Sequence, residues 1–179
     1  MGSDTLRIVL IALAGSAAGL WLLSTFLFRI TGTWERVLTQ DELDEGARAE
    51  RITLGQLGPF VTGRRDVKGG WQEYSGLMFG RNLSMTRRDH GKKSLLSMGF
   101  PEGVADKLDG EIMARMKLSL VDGGSALVGT FEPQKVEFTH QPPRVTGTHF
   151  LAGQRRRYRR VVAVGDRVPA IEEVEATEA

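Results

Sequence analysis

The feature that most constrains this chain is an uninterrupted apolar run near its N-terminus. Residues 8–28 read IVLIALAGSAAGLWLLSTFLF, contain no charged side chain and are bounded by Arg7 and Arg29. About 20 apolar residues in a helix cross the roughly 30 Å hydrocarbon layer of a bilayer. The run therefore predicts one transmembrane helix that acts as a signal-anchor, preceded by a short N-terminal tail, residues 1–7.

A cleaved secretory signal peptide is the alternative interpretation of this run. Small residues at Ala12, Ala14, Ser16 and Ala17 resemble a cleavage site. Cleavage there would leave LWLLSTFLF near the new N-terminus, and the apolar stretch before it would be short for a signal peptide. The uncleaved anchor is therefore favoured.

The charges around the run bear on its orientation. Arg7 alone precedes it, whereas Arg29, Arg36 and Arg48 follow it. Lys and Arg are enriched on the cytoplasmic side of a span, so this count favours a cytoplasmic C-terminal domain by a small margin. The common arrangement in which a very short N-terminal tail stays inside points the other way. The sequence thus predicts a single-pass membrane protein and leaves the side of its domain open.

Two glycines in the run are candidates for helix association. Gly15 and Gly19 have the GxxxG spacing that lets two helix backbones approach closely. Gly is also common in membrane spans in general, so this single motif is a weak signal. It makes self-association, or docking of a partner helix, a hypothesis for this face.

The segment after the run, residues 29–51, is expected to be a short polar stalk helix. Thr39 and Glu42 have the spacing of a capping box, and Asp44 and Arg48 can pair at i, i+4. The segment has almost no apolar face, which is typical of a solvated linker.

Residues 52–168 are expected to form a β-rich domain. Short β-rich runs alternate with glycine-bearing turns, a spacing typical of a sandwich or barrel. The predicted strands cover residues 52–62, 71–79, 83–87, 112–120, 135–139, 144–151 and 156–163. The fold class is therefore mainly β, with an antiparallel meander of about seven strands that forms a sandwich or a small barrel.

One short helix is expected to interrupt the strands, since Pro101 suits a first helical position and Val104 and Leu108 share one face. Residues 112–120 fit either a continued helix or a strand. The strand is preferred because the hairpin signal Asp122-Gly123-Gly124 follows it. Leu127 and Phe131 then lie on one face of the returning strand.

Charge is segregated along the chain. Residues 51–169 contain 20 Lys and Arg against 11 Asp and Glu, a net charge of +9, although the whole chain carries only +2. The last stretch, residues 169–179, has four Glu and no basic residue, which predicts a disordered acidic tail. The β-rich part is therefore expected to attract anionic partners.

The candidate binding residues are the basic side chains near predicted turns. They are Arg155, Arg156, Arg157, Arg159 and Arg160, together with Arg87, Arg88, Lys92 and Lys93. In a strand, the 155–160 run would point charges to both faces, so it is expected at a sheet edge. Edge protection, anionic lipid headgroups, an acidic protein partner and the chain's own tail all remain open as its role. Nucleic acid is not expected, because stacking aromatics and nucleic-acid-binding signatures are lacking.

No chemistry is predicted from the remaining motifs. The chain has no cysteine, which rules out disulfides, thiolate nucleophiles and Fe–S clusters, and it fits either side of a membrane. Its three histidines match no zinc-binding spacing, and neither a phosphate-binding loop nor a GxSxG motif is present. Catalytic residues, metal ligands and cofactors are therefore not assigned, and an enzyme is not expected.

Two functional hypotheses follow. The first is a membrane-anchored, self-associating structural or interaction protein whose basic domain docks on a partner protein or on anionic lipid headgroups. The alternative is a membrane-tethered β-barrel that holds an apolar ligand or lipid. Its lining residues would be Phe60, Phe79, Met85, Met116, Phe131, Phe138 and Phe150.

Overall fold

The computed structural model describes residues 27–161 and, before them, residues 7, 12, 15, 16 and 19. Most of the predicted transmembrane run, residues 8–28, lies outside this part of the chain, and the predicted acidic tail lies entirely outside it. Among the residues described, no helix is both long and apolar enough to cross a membrane.

The described part of the chain is mainly β. Its strands are β1 Gly32–Val37, β2 Arg51–Leu57, β3 Phe60–Val67, β4 Gly70–Phe79, β5 Asn82–His90, β6 Ile112–Val121, β7 Ala126–His140, β8 Pro143–Phe150 and β9 Gln154–Val161. Its helices are short, α1 Gln40–Asp44, α2 Lys92–Ser97 and α3 Glu102–Leu108.

Eight of these strands close into an antiparallel barrel. β1 to β7 pair in chain order, and β9 lies between β7 and β1 and completes the ring. Tyr158 of β9, for example, is paired with Arg36 on one side and with Leu127 on the other. β8 lies outside the ring and, among the described residues, pairs only with the second half of β7. The predicted β-rich meander is thus a closed barrel, and the sandwich alternative does not apply.

Apolar and polar residues alternate along the strands, and the apolar side chains point inward and fill the interior of the barrel. An eight-stranded barrel is just wide enough for side chains to fill it. The buried core residues are Ile30, Trp34, Ile52, Leu54, Val61, Tyr74, Met78, Leu83, Met85, Ala114, Met116, Leu118, Leu120, Leu127, Phe131 and Tyr158. The gap between Trp34, Met85, Met116 and Tyr158 does not admit a water molecule.

Two glycines let neighbouring strands approach closely inside the barrel. A Cβ on Gly129 would lie 2.0 Å from the Lys117 carbonyl oxygen, and one on Gly76 would lie 2.1 Å from the Ser84 carbonyl oxygen. Side chains at these positions would displace the backbone of the adjacent strand, so both positions require glycine.

A second, smaller core lies beside the barrel. Beyond Pro133, β7 leaves the ring and continues as a hairpin with β8. The buried side chains of α2 and α3, Leu95, Val104, Ala105 and Leu108, pack against Val136, Phe138 and Val145 of this hairpin. The helices are therefore held on the outside of the sheet.

The chain enters the barrel through one of its ends, which we name the closed end. Ile30 is fully buried there. Its N–H donates to Gln56 Oε1 at 2.9 Å, and its carbonyl accepts from Trp34 Nε1 at 2.8 Å. The opposite end, which we name the far end, contains the β3–β4 turn and α1.

The predicted stalk, residues 29–51, differs in the structure. Only Gln40–Asp44 is helical, whereas Gly32–Val37 is strand β1 of the barrel. The predicted capping box is confirmed: Thr39 N donates to Glu42 Oε2 at 3.0 Å, and Thr39 Oγ1 accepts from Glu42 N at 3.4 Å. β1 was missed because its two inward residues, Trp34 and Arg36, do not form an apolar alternation.

Three further expectations about elements are corrected. Residues 52–62 form two strands, because Gly58, with φ of 61°, and Pro59 make a turn between β2 and β3. Two helices rather than one follow β5, since the short sequence KKSLLS is also helical. The predicted strand at residues 135–139 is the second half of one long strand, β7, which continues through Pro133 and pairs there with β8. The preferred strand at residues 112–120 is confirmed as β6.

Candidate binding cleft at the far end of the barrel

A network of buried charged side chains occupies the interior at the far end. Its centre is Glu50, which is 8% exposed. Glu50 Oε2 accepts from Arg65 Nη1 at 2.9 Å, and Glu50 Oε1 accepts from Arg156 Nη1 at 2.9 Å and from the Tyr158 hydroxyl at 2.8 Å. Buried charges persist only when paired and hydrogen-bonded, so this carboxylate is a structural anchor for two arginines.

The network continues from Arg65 on β3 to two more strands, β4 and β5. Gln72 Oε1 accepts from Arg65 Nη1 and from the Tyr74 hydroxyl, both at 3.2 Å. Gln72 Nε2 donates to Asp89 Oδ2 at 3.4 Å, and Arg87 Nε lies 2.9 Å from Asp89 Oδ1. Polar residues from β3, β4 and β5 thus meet inside the barrel where its apolar core ends.

The two buried tyrosines of this region stay protonated at all physiological pH values. Burial raises the pKa of Tyr74 to about 12. The pKa of Tyr158 is also raised, mainly by burial and secondly by the nearby Glu50 carboxylate. Both hydroxyl groups therefore act as neutral hydrogen-bond donors to the network.

A cleft of about 280 Å³ opens at the far end, between α1 and the start of β9. Its lining residues are Arg36, Val37, Leu38, Thr39, Glu42, Val128, Arg155, Arg156 and Arg157. Four arginines and one carboxylate give this lining a net positive charge, and its three aliphatic side chains supply apolar surface. We name it the basic cleft.

The wall of the basic cleft formed by α1 is fixed by local hydrogen bonds. The capping box joins Thr39 and Glu42, and Glu42 Oε1 also accepts from Arg36 Nη2. The backbone hydrogen bond from Thr39 is the largest influence that lowers the pKa of Glu42, so this carboxylate is ionised. One side of the cleft is thus a short rigid turn attached to β1.

The opposite wall is the 155–160 run, and its expected position at a sheet edge is wrong. β9 is paired on both sides. Arg156 and Arg160 point inward near opposite ends of the barrel, whereas Arg155, Arg157 and Arg159 point outward.

The strand accepts charge on its inner face because Arg156 pairs with Glu50 and its guanidinium carbon lies 3.4 Å from the centre of the Phe131 ring. Arg160 Nη2 donates to the Arg29 carbonyl at 2.6 Å.

Part of the outward charge on β9 is neutralised. Arg159 Nη2 lies 2.6 Å from Glu35 Oε2, and Arg51 Nε lies 2.8 Å from Glu35 Oε1. Hydrogen bonds from these two arginines lower the pKa of Glu35. Arg157 pairs with Asp122 in the β6–β7 turn. Arg155 has no ion-pair partner within residues 27–161, which makes it the most available cation of the cleft.

The other predicted basic residues lie elsewhere. Arg87 points into the barrel beside Asp89, and Arg88 Nη1 donates to the Gly110 carbonyl at 2.7 Å. On α2, Lys92 Nζ lies 2.6 Å from Glu102 Oε1 and 2.9 Å from Asp106 Oδ1; hydrogen bonds to these two carboxylates raise its pKa. Lys93 is next to it, on the same helix. The structure therefore brings the 155–157 residues into the cleft and leaves these four outside it.

The residues expected to line an apolar ligand cavity do not share a cavity. Met85, Met116 and Phe131 belong to the filled core of the barrel. Phe60 and Phe79 are exposed, whereas Phe138 packs in the second core. Phe150 lies on β8, and the guanidinium carbon of Arg115 lies 3.9 Å from the centre of its ring.

The remaining candidates give no clustered site. Gly15 and Gly19 lie in helical backbone. His90 Nε2 is 3.1 Å from Glu73 Oε2, and His149 Nδ1 is 3.8 Å from Glu137 Oε1. Within the part of the chain that the structure describes, no three His, Asp or Glu side chains are placed to hold a metal ion.

Sequence reasoning missed Arg36 and Glu50, which complete the cleft and its support. Both fall within the segment expected to be a stalk. Their signal was weak, because Arg36 is a single charged residue on the short strand β1 and Glu50 lies in the loop just before β2, so both resemble solvated charges in the sequence.

Comparisons of this chain with protein-family models, with curated proteins and with solved structures give no match. The class of the protein is therefore defined by its own geometry: a closed and filled eight-stranded antiparallel barrel with a basic cleft at the end opposite the entry of the chain.

Proposed function

We propose that this chain is a single-pass membrane protein whose barrel is an interaction module, and that its basic cleft docks an acidic segment of a partner protein. The observation that carries the proposal is the lining of the cleft, where Arg36, Arg155, Arg156 and Arg157 surround aliphatic surface. The apolar run at residues 8–28 supports the membrane tether.

The chemistry of the lining suits a peptide that carries carboxylates. Arginine forms bidentate hydrogen bonds with carboxylates, and Arg155 has this capacity unused within the described residues. Val37, Leu38 and Val128 offer apolar contacts to the neighbouring side chains of such a peptide. The net charge of +9 over residues 51–169 would also speed the encounter with an acidic partner.

The size of the cleft favours peptide side chains over a separate small molecule. Its volume of about 280 Å³ is at the lower limit of the roughly 300–1,000 Å³ typical of ligand pockets. The barrel interior has no room for an apolar ligand beside Trp34 and Tyr158. A docking surface for another protein is therefore the better supported of the two functions expected from the sequence.

The position of the cleft argues against lipid headgroups as its ligand. β5, Asn82–His90, runs the length of the barrel, and nine tilted strand residues cover about 20 Å along its axis. If residues 8–28 cross the bilayer, Arg155 and α1 lie most of this length from the headgroups, more than one Debye length of roughly 8 Å at physiological salt. Arg157, which pairs with Asp122 in the β6–β7 turn, lies nearer to the closed end.

The test is the binding of a fluorescein-labelled Glu-rich peptide to the full chain in lipid nanodiscs, followed by fluorescence anisotropy. We expect Arg155→Gln with Arg157→Gln to weaken binding about tenfold, which corresponds to about 1.4 kcal/mol. The matched control is Lys135→Gln with Arg144→Gln, which removes two exposed charges from the β7–β8 hairpin outside the cleft.

The two double variants distinguish a site from a general charge effect. The control should change the affinity by less than about twofold, because distant exposed charges are screened by salt. The cleft is refuted as a docking site if both double variants lose affinity for the peptide equally. It is also refuted if neither pair of substitutions changes that affinity.

A further inference from the structure

We infer that the closed end of the barrel rests on the bilayer surface and inserts a rim of apolar side chains into it. The rim consists of Leu57, Phe60, Leu77 and Phe79, on the β2–β3 hairpin and on β4. The inference depends on the membrane tether of the proposed function, but it concerns a different surface from the basic cleft.

The rim is continuous and exposed. Leu57 is 82% exposed, Phe60 59%, Leu77 37% and Phe79 68%. Leu57 is paired with Phe60, and Phe60 with Leu77, so the side chains are neighbours on the outer face of adjacent strands. Clustered large apolar side chains on an otherwise polar surface mark an interaction site.

The rim lies level with the point where the predicted span ends. Gly32, the first residue of β1, is paired with Leu54, and β2 continues for three more residues to Leu57. Three residues before Gly32 is Arg29, the first residue after the apolar run. The β2–β3 hairpin therefore lies at the closed end, beside the point where the chain leaves the apolar run.

No flexible linker separates the run from the barrel. Ile30 is buried and is held by hydrogen bonds to Gln56 and Trp34, and Arg160 Nη2 donates to the Arg29 carbonyl. The two residues that follow the run are thus attached to the barrel itself. A bilayer that contained the run would lie directly against the closed end and would meet the rim.

The chemistry beside the rim is that of a membrane interface. Arg29 and Arg81 are exposed there, and the Arg81 guanidinium lies 5.8 Å from the centre of the Phe28 ring. Phe and Leu that enter the acyl boundary, flanked by Arg at the level of the headgroups, are typical of interfacial anchors. The rim therefore fits a lipid surface, and its apolar side chains do not require anionic headgroups.

The test uses the absence of native cysteine. Phe79→Cys carries an environment-sensitive NBD dye in the full chain, reconstituted in vesicles of phosphatidylcholine. Lys68→Cys, in the exposed β3–β4 turn at the far end, is the matched control. Spin-labelled phosphatidylcholine should reduce the emission at position 79 by about half and that at position 68 by no more than about a tenth, since interfacial side chains lie only about 5–10 Å deep.

Two results would overturn the inference. Equal quenching of the two labels by aqueous iodide would mean that the rim is in water. Blue-shifted emission at position 79 without quenching by the spin-labelled lipid would mean that protein covers the rim. Flotation of the vesicles in alkaline carbonate tests the tether separately. If the chain floats but the rim is not quenched, the membrane tether stands and only the inference about the rim is refuted. If the chain does not float, both the tether and the inference are refuted.

Discussion

Glu50 is the residue whose replacement tests the structure most directly. It is the acceptor for Arg65, Arg156 and Tyr158, and its side chain is almost fully buried. In Glu50→Gln the side chain keeps its shape and loses its charge, so the two guanidinium groups remain without an anion to balance them. Removing one partner of a buried ion pair costs about 3–5 kcal/mol.

We expect the lower part of this range, about 3 kcal/mol, because Arg65 is about a quarter exposed and water partly stabilises it. At about 2–4 °C per kcal/mol, the midpoint of thermal unfolding should fall by about 6–12 °C. The assay is thermal unfolding of the full chain in detergent, followed by tryptophan fluorescence, with Trp34 buried in the same barrel.

Glu137→Gln is the matched control, because Glu137 is about half exposed and its ion pair with Lys135 spans 3.6 Å on the β7–β8 hairpin. Exposed pairs contribute about 0–1 kcal/mol, so its midpoint should stay within about 4 °C of the wild type. Similar shifts for Glu50→Gln and the control would falsify the reasoning, since the buried network would then contribute no more than a surface pair.

Three further predictions follow from burial, backbone contact and helix spacing. The pKa of Tyr74 is about 12 in the folded chain against 10.0 for a free side chain, so stability present below pH 10 should decline by about 3 kcal/mol between about pH 10 and 12. Alkaline unfolding of Tyr74→Phe that begins at the same pH as in the wild type would contradict this. Gly129→Ala, whose Cβ would overlap the backbone of β6, should destabilise the barrel by about 2 kcal/mol or more, whereas Gly55→Ala, with only ordinary contacts, should be nearly neutral; urea unfolding measures both. Gly15→Ile with Gly19→Ile should reduce self-association in a membrane reporter assay, and an unchanged signal would exclude this face as the contact.

Much of the β architecture could be predicted because its signals are local. Asp122-Gly123-Gly124 marked the turn after β6, and the alternation of Leu127 and Phe131 marked the inner face of β7. Closure of the barrel could not be predicted in the same way. It depends on β9 pairing with β1, a contact between residues far apart in the chain, such as Thr33 and Val161, which are separated by 128 positions.

The candidate site was predicted in part, for a related reason. The run at residues 155–157 was identified from charge alone, and it does line the basic cleft. Its position in a fully paired strand was not foreseen, because the anion that allows Arg156 to point inward is Glu50, 106 positions away. A charge that appears incompatible with a central strand can be accommodated where a distant partner reaches it.

The pairing of Thr33 with Val161 also bears on how this barrel can be re-engineered. β1 and β9 are neighbours and both reach the closed end, so a short loop could join them without crossing the barrel. A circular permutant with new termini in the Gln141–Pro142 turn would keep every strand pairing of the ring, since that turn belongs to the hairpin outside it. The N-terminal run could then be removed without leaving a cut strand, and a reporter could be fused beside the hairpin, away from both the rim and the cleft.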